Sequence, residues 1–137
     1  MSSDPPPAPP RRKRIVLVDD NAAYCSVWKG FLLERYGEDR VTVETYLHPI
    51  EAMTQIDDSI DLLLVDLELP VIDGRKFVEF AASRGVDRKR IIVASGRKAE
   101  HLHDLFSPGQ CLAVINKSEP RQQEAFLMIL DGVVRKE

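Results

Sequence analysis

From Ile15 onward, short apolar runs alternate with longer segments of helical period, and this alternation limits the fold more than any other feature of the chain. Strands buried on both faces read as continuous apolar runs, so the pattern predicts an α/β domain: a doubly wound parallel sheet with helices on both sides. The expected strands are 15–18, 41–46, 60–65, 91–94 and 111–115. Asn21 can cap a first helix in which Tyr24, Trp28, Phe31 and Leu32 form an inward apolar stripe ending near Gly37. A short helix over 48–56 opens with Pro49. A turn through Pro70, Asp73 and Gly74 leads to a third helix with Phe77, Val78, Phe80 and Ala81, and a weaker fourth helix is expected around 99–106. The fifth, 120–134, carries Phe126, Leu127, Leu130 and Val133.

At 137 residues this is one domain, with 44% hydrophobic and 30% charged residues in globular proportion. Residues 1–14 stand apart. Five of the first ten are proline and Arg11, Arg12, Lys13 and Arg14 follow, so this segment is expected as an extended, solvated, disordered tail, with 15–137 as the folded domain. The tail carries a net +3, which leaves −6 on the domain, so nucleic-acid binding by the domain is not expected. No run of 18 apolar residues is present and the polar start does not fit a secretory signal, so a cytoplasmic protein without a membrane span is expected. Cys25 and Cys111 are too far apart for a metal knuckle and read as buried thiols, while His48, His101 and His103 read as solvated surface residues.

In an open doubly wound sheet, ligands sit beyond the carboxyl ends of the strands. There the sequence places Asp19 and Asp20 after the first strand, Asp66 after the third, Ser95 after the fourth, and Asn116 and Lys117 after the fifth. Three carboxylates at one edge repel one another unless they share a cation. Oxygen donors without a placed His or Cys suit Mg2+ better than zinc. With a cation and Lys117 neutralising a phosphoryl group, an aspartate can act as nucleophile, and Asp66, at the end of the most apolar strand, is best placed. Asp19 and Asp20 suit metal duty, and Ser95 and Lys117 suit contact with the phosphoryl oxygens.

The stretches IVLVDDN (15–21), LLLVDLELPVIDG (62–74), IIVASG (91–96) and VINK (114–117) resemble the receiver domains of two-component response regulators, and the likeness runs from Arg14 to about Lys136. The resemblance implies a flavodoxin-like (βα)5 sheet of strand order 2-1-3-4-5. It also implies that Asp66 is the phosphoacceptor, that Asp20 and Asp66 bind Mg2+ directly with Asp19 acting through water, and that Glu68 supplies its backbone carbonyl to the metal. Ser95 takes the place of the mobile hydroxyl residue and Lys117 that of the lysine that pairs with the phosphoryl group. The implied donor is a phosphohistidine on a sensor histidine kinase or histidine phosphotransfer protein.

Three positions depart from the receiver pattern. Val114 stands where many receivers carry a rotating aromatic, and Ser118 and Glu119 precede Pro120 where many have a cis proline directly after the lysine. Glu68 and Arg97, each two residues past a site residue, form an expected pair screening the phosphoryl group from water.

The expected function is a phosphorylation switch rather than a conventional enzyme, one that catalyses only its own phosphorylation and slow dephosphorylation. Phosphorylation would shift the face built from the fourth helix, fifth strand and fifth helix toward a downstream protein target or a homodimer. The chain is expected to be either a single-domain regulator or a receiver from a longer polypeptide. Two other readings remain: a degenerate receiver that docks without phosphorylation, and a haloacid-dehalogenase-type enzyme, whose order of acids does not match.

Overall fold

The computed structural model describes residues 11–96, 109–117 and 120–135. The expected fourth helix, with His101 and His103, lies outside them, as do residues 1–10, Arg97, Ser118 and Glu119.

Five strands, β1 (Lys13–Val18), β2 (Val41–Tyr46), β3 (Leu62–Asp66), β4 (Ile91–Ser95) and β5 (Ala113–Asn116), form one sheet in the order β2-β1-β3-β4-β5. Every neighbouring pair is parallel. All five residues of β3 and of β4 are buried, as continuous apolar runs require. Alternate residues of each strand point to opposite faces. Val16, Val18, Leu63, Val65, Ile91 and Val93 pack against α2 (Pro49–Met53) and α3 (Gly74–Ser83) through Ala52, Phe77, Val78 and Ala81. On the other face Ile15, Leu17, Leu62, Leu64, Ile92 and Ala94 pack against α1 (Ala22–Tyr36) and the C-terminal helix α4 (Pro120–Arg135). Leu32, Phe126, Leu130 and Val134 supply that contact.

Local chemistry sets the helix ends. Asn21 accepts from the Tyr24 N–H to start α1, and Gly37, at φ 90°, ends it by donating to the Leu33 carbonyl. Asp73 caps α3 by accepting from the Arg75 N–H. Helix α2 is shorter than the sequence predicts, because the chain turns at Thr54, whose hydroxyl and N–H both bond to the Glu51 carbonyl.

Three expectations need correction. The basic run is not all solvated tail: β1 begins at Lys13, and Arg14 donates to both oxygens of Glu44 and to Ser59, Asp57 and the Gln55 carbonyl. The Arg14 N–H and the Arg11 guanidinium each lie 2.7 Å from the buried Asp61 carboxylate. These long-range acids fold the end of the run onto the domain.

The aromatic stripe of α1 is not all core either. Cys25, Leu32 and Tyr36 are the buried residues, while Tyr24, Trp28 and Phe31 stack along the helix flank, with Trp28 edge-on to Phe126 at 4.9 Å. Finally, His48 is half-buried and its Nδ1 caps α2 by accepting from Ile50 N–H, so it is not a free surface histidine. At the far end of α1, Arg35 forms a two-pronged pair with Asp131 of α4 (3.0 and 2.7 Å), joined by the Tyr36 hydroxyl.

Candidate functional site

Parallel register carries the ends of β1, β3, β4 and β5 to one edge of the sheet. Asp66 is the last residue of β3, Ser95 the last of β4, and Asp19 and Asp20 follow β1 directly. Asp19, Asp20 and Asp66 each present an oxygen within 4.8 Å of the other two; Asp19 and Asp66 are buried and Asp20 is exposed. An all-oxygen, all-anionic donor set fits a hard divalent cation such as Mg2+.

Lys117 follows β5 and its N–H donates to the Ser95 carbonyl at 2.8 Å. Its ammonium lies 2.5 Å from Asp19 Oδ2 and 3.4 Å from Asp66 Oδ1. Burial opposes the charge, but the two carboxylates outweigh it and hold Lys117 above the ordinary lysine value. One ammonium does not balance the edge. Burial first and then Asp19 push the Asp66 carboxyl up to about 7, against the pull of Lys117. A further cation would restore Asp66 to the ionised form that a nucleophile needs.

Asp19 is held on both sides, since its Oδ1 accepts from the Asn21 N–H at 2.9 Å and its carbonyl accepts from the Cys25 thiol at 3.4 Å. Burial, then Asp19, raises that thiol to about 11, so it stays protonated. The Glu68 N–H donates to Asp66 Oδ1 at 3.2 Å, and the Glu68 carboxylate accepts from the buried Ser95 hydroxyl at 2.5 Å. Thus Glu68 is fastened to Ser95, while Arg97, the other half of the expected screening pair, lies outside the described residues. Val114 is half-buried against the cluster containing Phe77 and Val93.

Backbone shape after Asp66 depends on two residues. Gly74 donates to the Leu67 carbonyl, and a Cβ there would stand 2.6 Å from Leu67 Cα and 2.7 Å from the Asp66 carbonyl oxygen, so only glycine fits. Val71 has φ 69° and is bridged by a bond from Ile72 N–H to the Pro70 carbonyl. Together these mark a tight γ-turn, a strained conformation for a β-branched residue.

The sequence reading missed Tyr24 as a site residue. Its ring lies under the Lys117 ammonium, 4.5 Å from centroid to nitrogen. Its hydroxyl is buried without a hydrogen-bond partner among the described residues, and burial, then Asp19, keeps it protonated. The available signal was its position in the first helical turn after the acidic pair.

No family model matches the chain, and no curated protein matches it. Solved structures do. A CheY-like response regulator receiver domain from Methanospirillum hungatei JF-1 is 23% identical at a TM-score of 0.69, with 90% of this chain and 94% of that one covered. A two-component response regulator from Clostridium difficile is 16% identical at a TM-score of 0.73, covering 91% and 98%. A response regulator protein from Burkholderia pseudomallei, solved with a phosphorylated aspartic acid, a calcium ion and citrate, is 18% identical at a TM-score of 0.68, covering 86% and 66%. The parallel sheet, its 2-1-3-4-5 order and the helices on both faces give this chain the flavodoxin-like fold of the response-regulator receiver domains.

Proposed function

We propose that the chain is a response-regulator receiver domain that accepts a phosphoryl group on Asp66 from a phosphohistidine of a sensor kinase or phosphotransfer protein. The observation that carries this reading is the meeting of Asp19, Asp20, Asp66 and Lys117 at one sheet edge. A phosphorylated aspartate and a bound divalent ion in the Burkholderia protein of the same fold support it.

An Asp66 carboxylate oxygen forms the new bond to phosphorus as the bond from phosphorus to the donor imidazole nitrogen breaks, and the electron pair of that bond leaves with the imidazole. Asp19, Asp20 and Asp66 would hold Mg2+, which supplies charge neutralisation at the phosphoryl oxygens when bound. Lys117 pairs with one phosphoryl oxygen, and Ser95 turns its hydroxyl from Glu68 to another. Hydrolysis reverses the modification: water attacks phosphorus, the bond to Asp66 breaks, and carboxylate and inorganic phosphate result.

The phosphoryl group carries about −1.5 to −2 where the carboxylate carried −1, and its oxygens draw Ser95 and Lys117 inward; the shift passes to β5 and α4, where a target protein or second copy binds. Met128 on α4 and Leu112 before β5 are exposed apolar side chains at these elements. No described helix is long and apolar enough to cross a membrane.

The test is intact mass after incubation with Mg2+ and acetyl phosphate. One phosphoryl group gained by the wild type, dependent on Mg2+ and lost in Asp66→Asn, is expected. No gain under these conditions would overturn the proposal in favour of a module that docks without phosphorylation.

A further inference from the structure

Lys117 has to satisfy two arrangements of the same site. Without a cation its ammonium is bonded to Asp19, yet Asp19 is also one of the three cation donors. Once a cation claims that carboxylate, the ammonium loses its nearest partner; its second, Asp66 at 3.4 Å, is itself a cation donor, and the lysine side chain is 19% exposed to water. A lysine that leaves the pocket cannot meet a phosphoryl oxygen.

The ring of Tyr24 is a third partner of a different kind. It attracts the ammonium through its π face, competes poorly for a hard, oxygen-seeking cation, and carries no net charge to repel a phosphoryl group. The ring is also fixed in place. Its residue lies in the first turn of α1, with its N–H bonded to the Asn21 side chain. Trp28 packs on it at 6.2 Å, and Phe126 of α4 backs Trp28 at 4.9 Å.

We propose that Tyr24 is a positioning residue for Lys117, whose ring face retains the ammonium in the acceptor pocket while its anionic partner changes from Asp19 to the phosphoryl group. This rests on Asp66 being the phosphoacceptor. The hydroxyl has no part in it, so phenylalanine should serve and an aliphatic side chain should not.

Phosphoryl uptake from acetyl phosphate is followed by intact mass across a Mg2+ series. Isothermal titration calorimetry measures Mg2+ affinity independently of uptake. Tyr24→Phe is expected to keep its maximal uptake rate within about twofold of wild type, while Tyr24→Leu and Tyr24→Met lose on the order of tenfold, with Mg2+ affinity unchanged. In a Lys117→Met background, adding Tyr24→Leu should cost nothing more, an interaction that a merely structural defect would not show. Thermal melts identify which variants fold, and the leucine and methionine forms give independent readings.

Uptake by folded Tyr24→Leu or Tyr24→Met at the wild-type rate would overturn the proposal, as would loss in Tyr24→Phe equal to theirs. A further loss from Tyr24→Leu without Lys117 would do the same. Absence of uptake in the wild type, with its Mg2+ response intact, would instead bring down the phosphoacceptor reading and this inference with it.

Discussion

The Ser95 hydroxyl donates to the Glu68 carboxylate at 2.5 Å, tying the end of β4 to the loop that follows Asp66. In the proposed reaction this bond competes with the phosphoryl group for the same hydroxyl, and the Glu68 charge repels the incoming dianion. Glu68→Ala should therefore take up phosphoryl groups several times faster, by about threefold to tenfold if roughly 1 kcal/mol of opposing interaction is removed. A time course of intact mass at fixed acetyl phosphate measures it; a slower rate would show that Glu68 assists uptake.

Gly74 closes against the backbone of Asp66 and Leu67 with no space for a methyl group. Both opposing atoms are backbone, so Gly74→Ala must move the acceptor loop. A loss of about 1–3 kcal/mol is expected, visible as a lower urea midpoint, together with reduced uptake at Asp66.

Asp61 is 4% exposed and accepts from both Arg14 N–H and Arg11. Asp61→Ala leaves the Arg14 N–H without this acceptor and should cost about 1–3 kcal/mol in chemical denaturation. Arg11 is 63% exposed, and Arg11→Ala should cost less than about 1 kcal/mol.

Arg35, then the Tyr36 hydroxyl, hold the Asp131 carboxyl down at about 2, against its ordinary 3.8. A folded value below the unfolded one adds stability that is full above pH 3.8 and is lost as pH falls toward 2. The melting temperatures of wild type and Asp131→Asn should therefore differ at neutral pH and converge across that acid window. A gap that persists at pH 2 would place the stabilisation elsewhere.

Strand number, direction and order were legible because each strand is a short apolar run and the motifs around Asp19, Asp66 and Lys117 resemble a known arrangement. Placement of Asp19, Asp20, Asp66, Ser95 and Lys117 at one edge followed from the geometry of parallel sheets, in which the strand ends converge. The features that were not legible depend on partners distant in sequence. Arg14 enters the sheet because Glu44 and Asp61 meet it, and no local pattern signals either contact. Tyr24 has the spacing of a core residue, and only the arrival of Lys117 from the far end of the chain reveals its ring as part of the site. The Glu68–Ser95 bond likewise joins two strand ends whose side-chain directions a sequence does not record.

The bond between Lys117 and Asp19 spans 98 positions and joins residues following the fifth and first strands. A chain that stops short of Lys117 holds only one half of this edge and lacks the arrangement on which the proposed uptake depends. A ligand that binds only the assembled edge shifts the balance toward the folded chain. Under the proposed function, occupancy of this edge would therefore select copies in which the first and fifth strands are already in place.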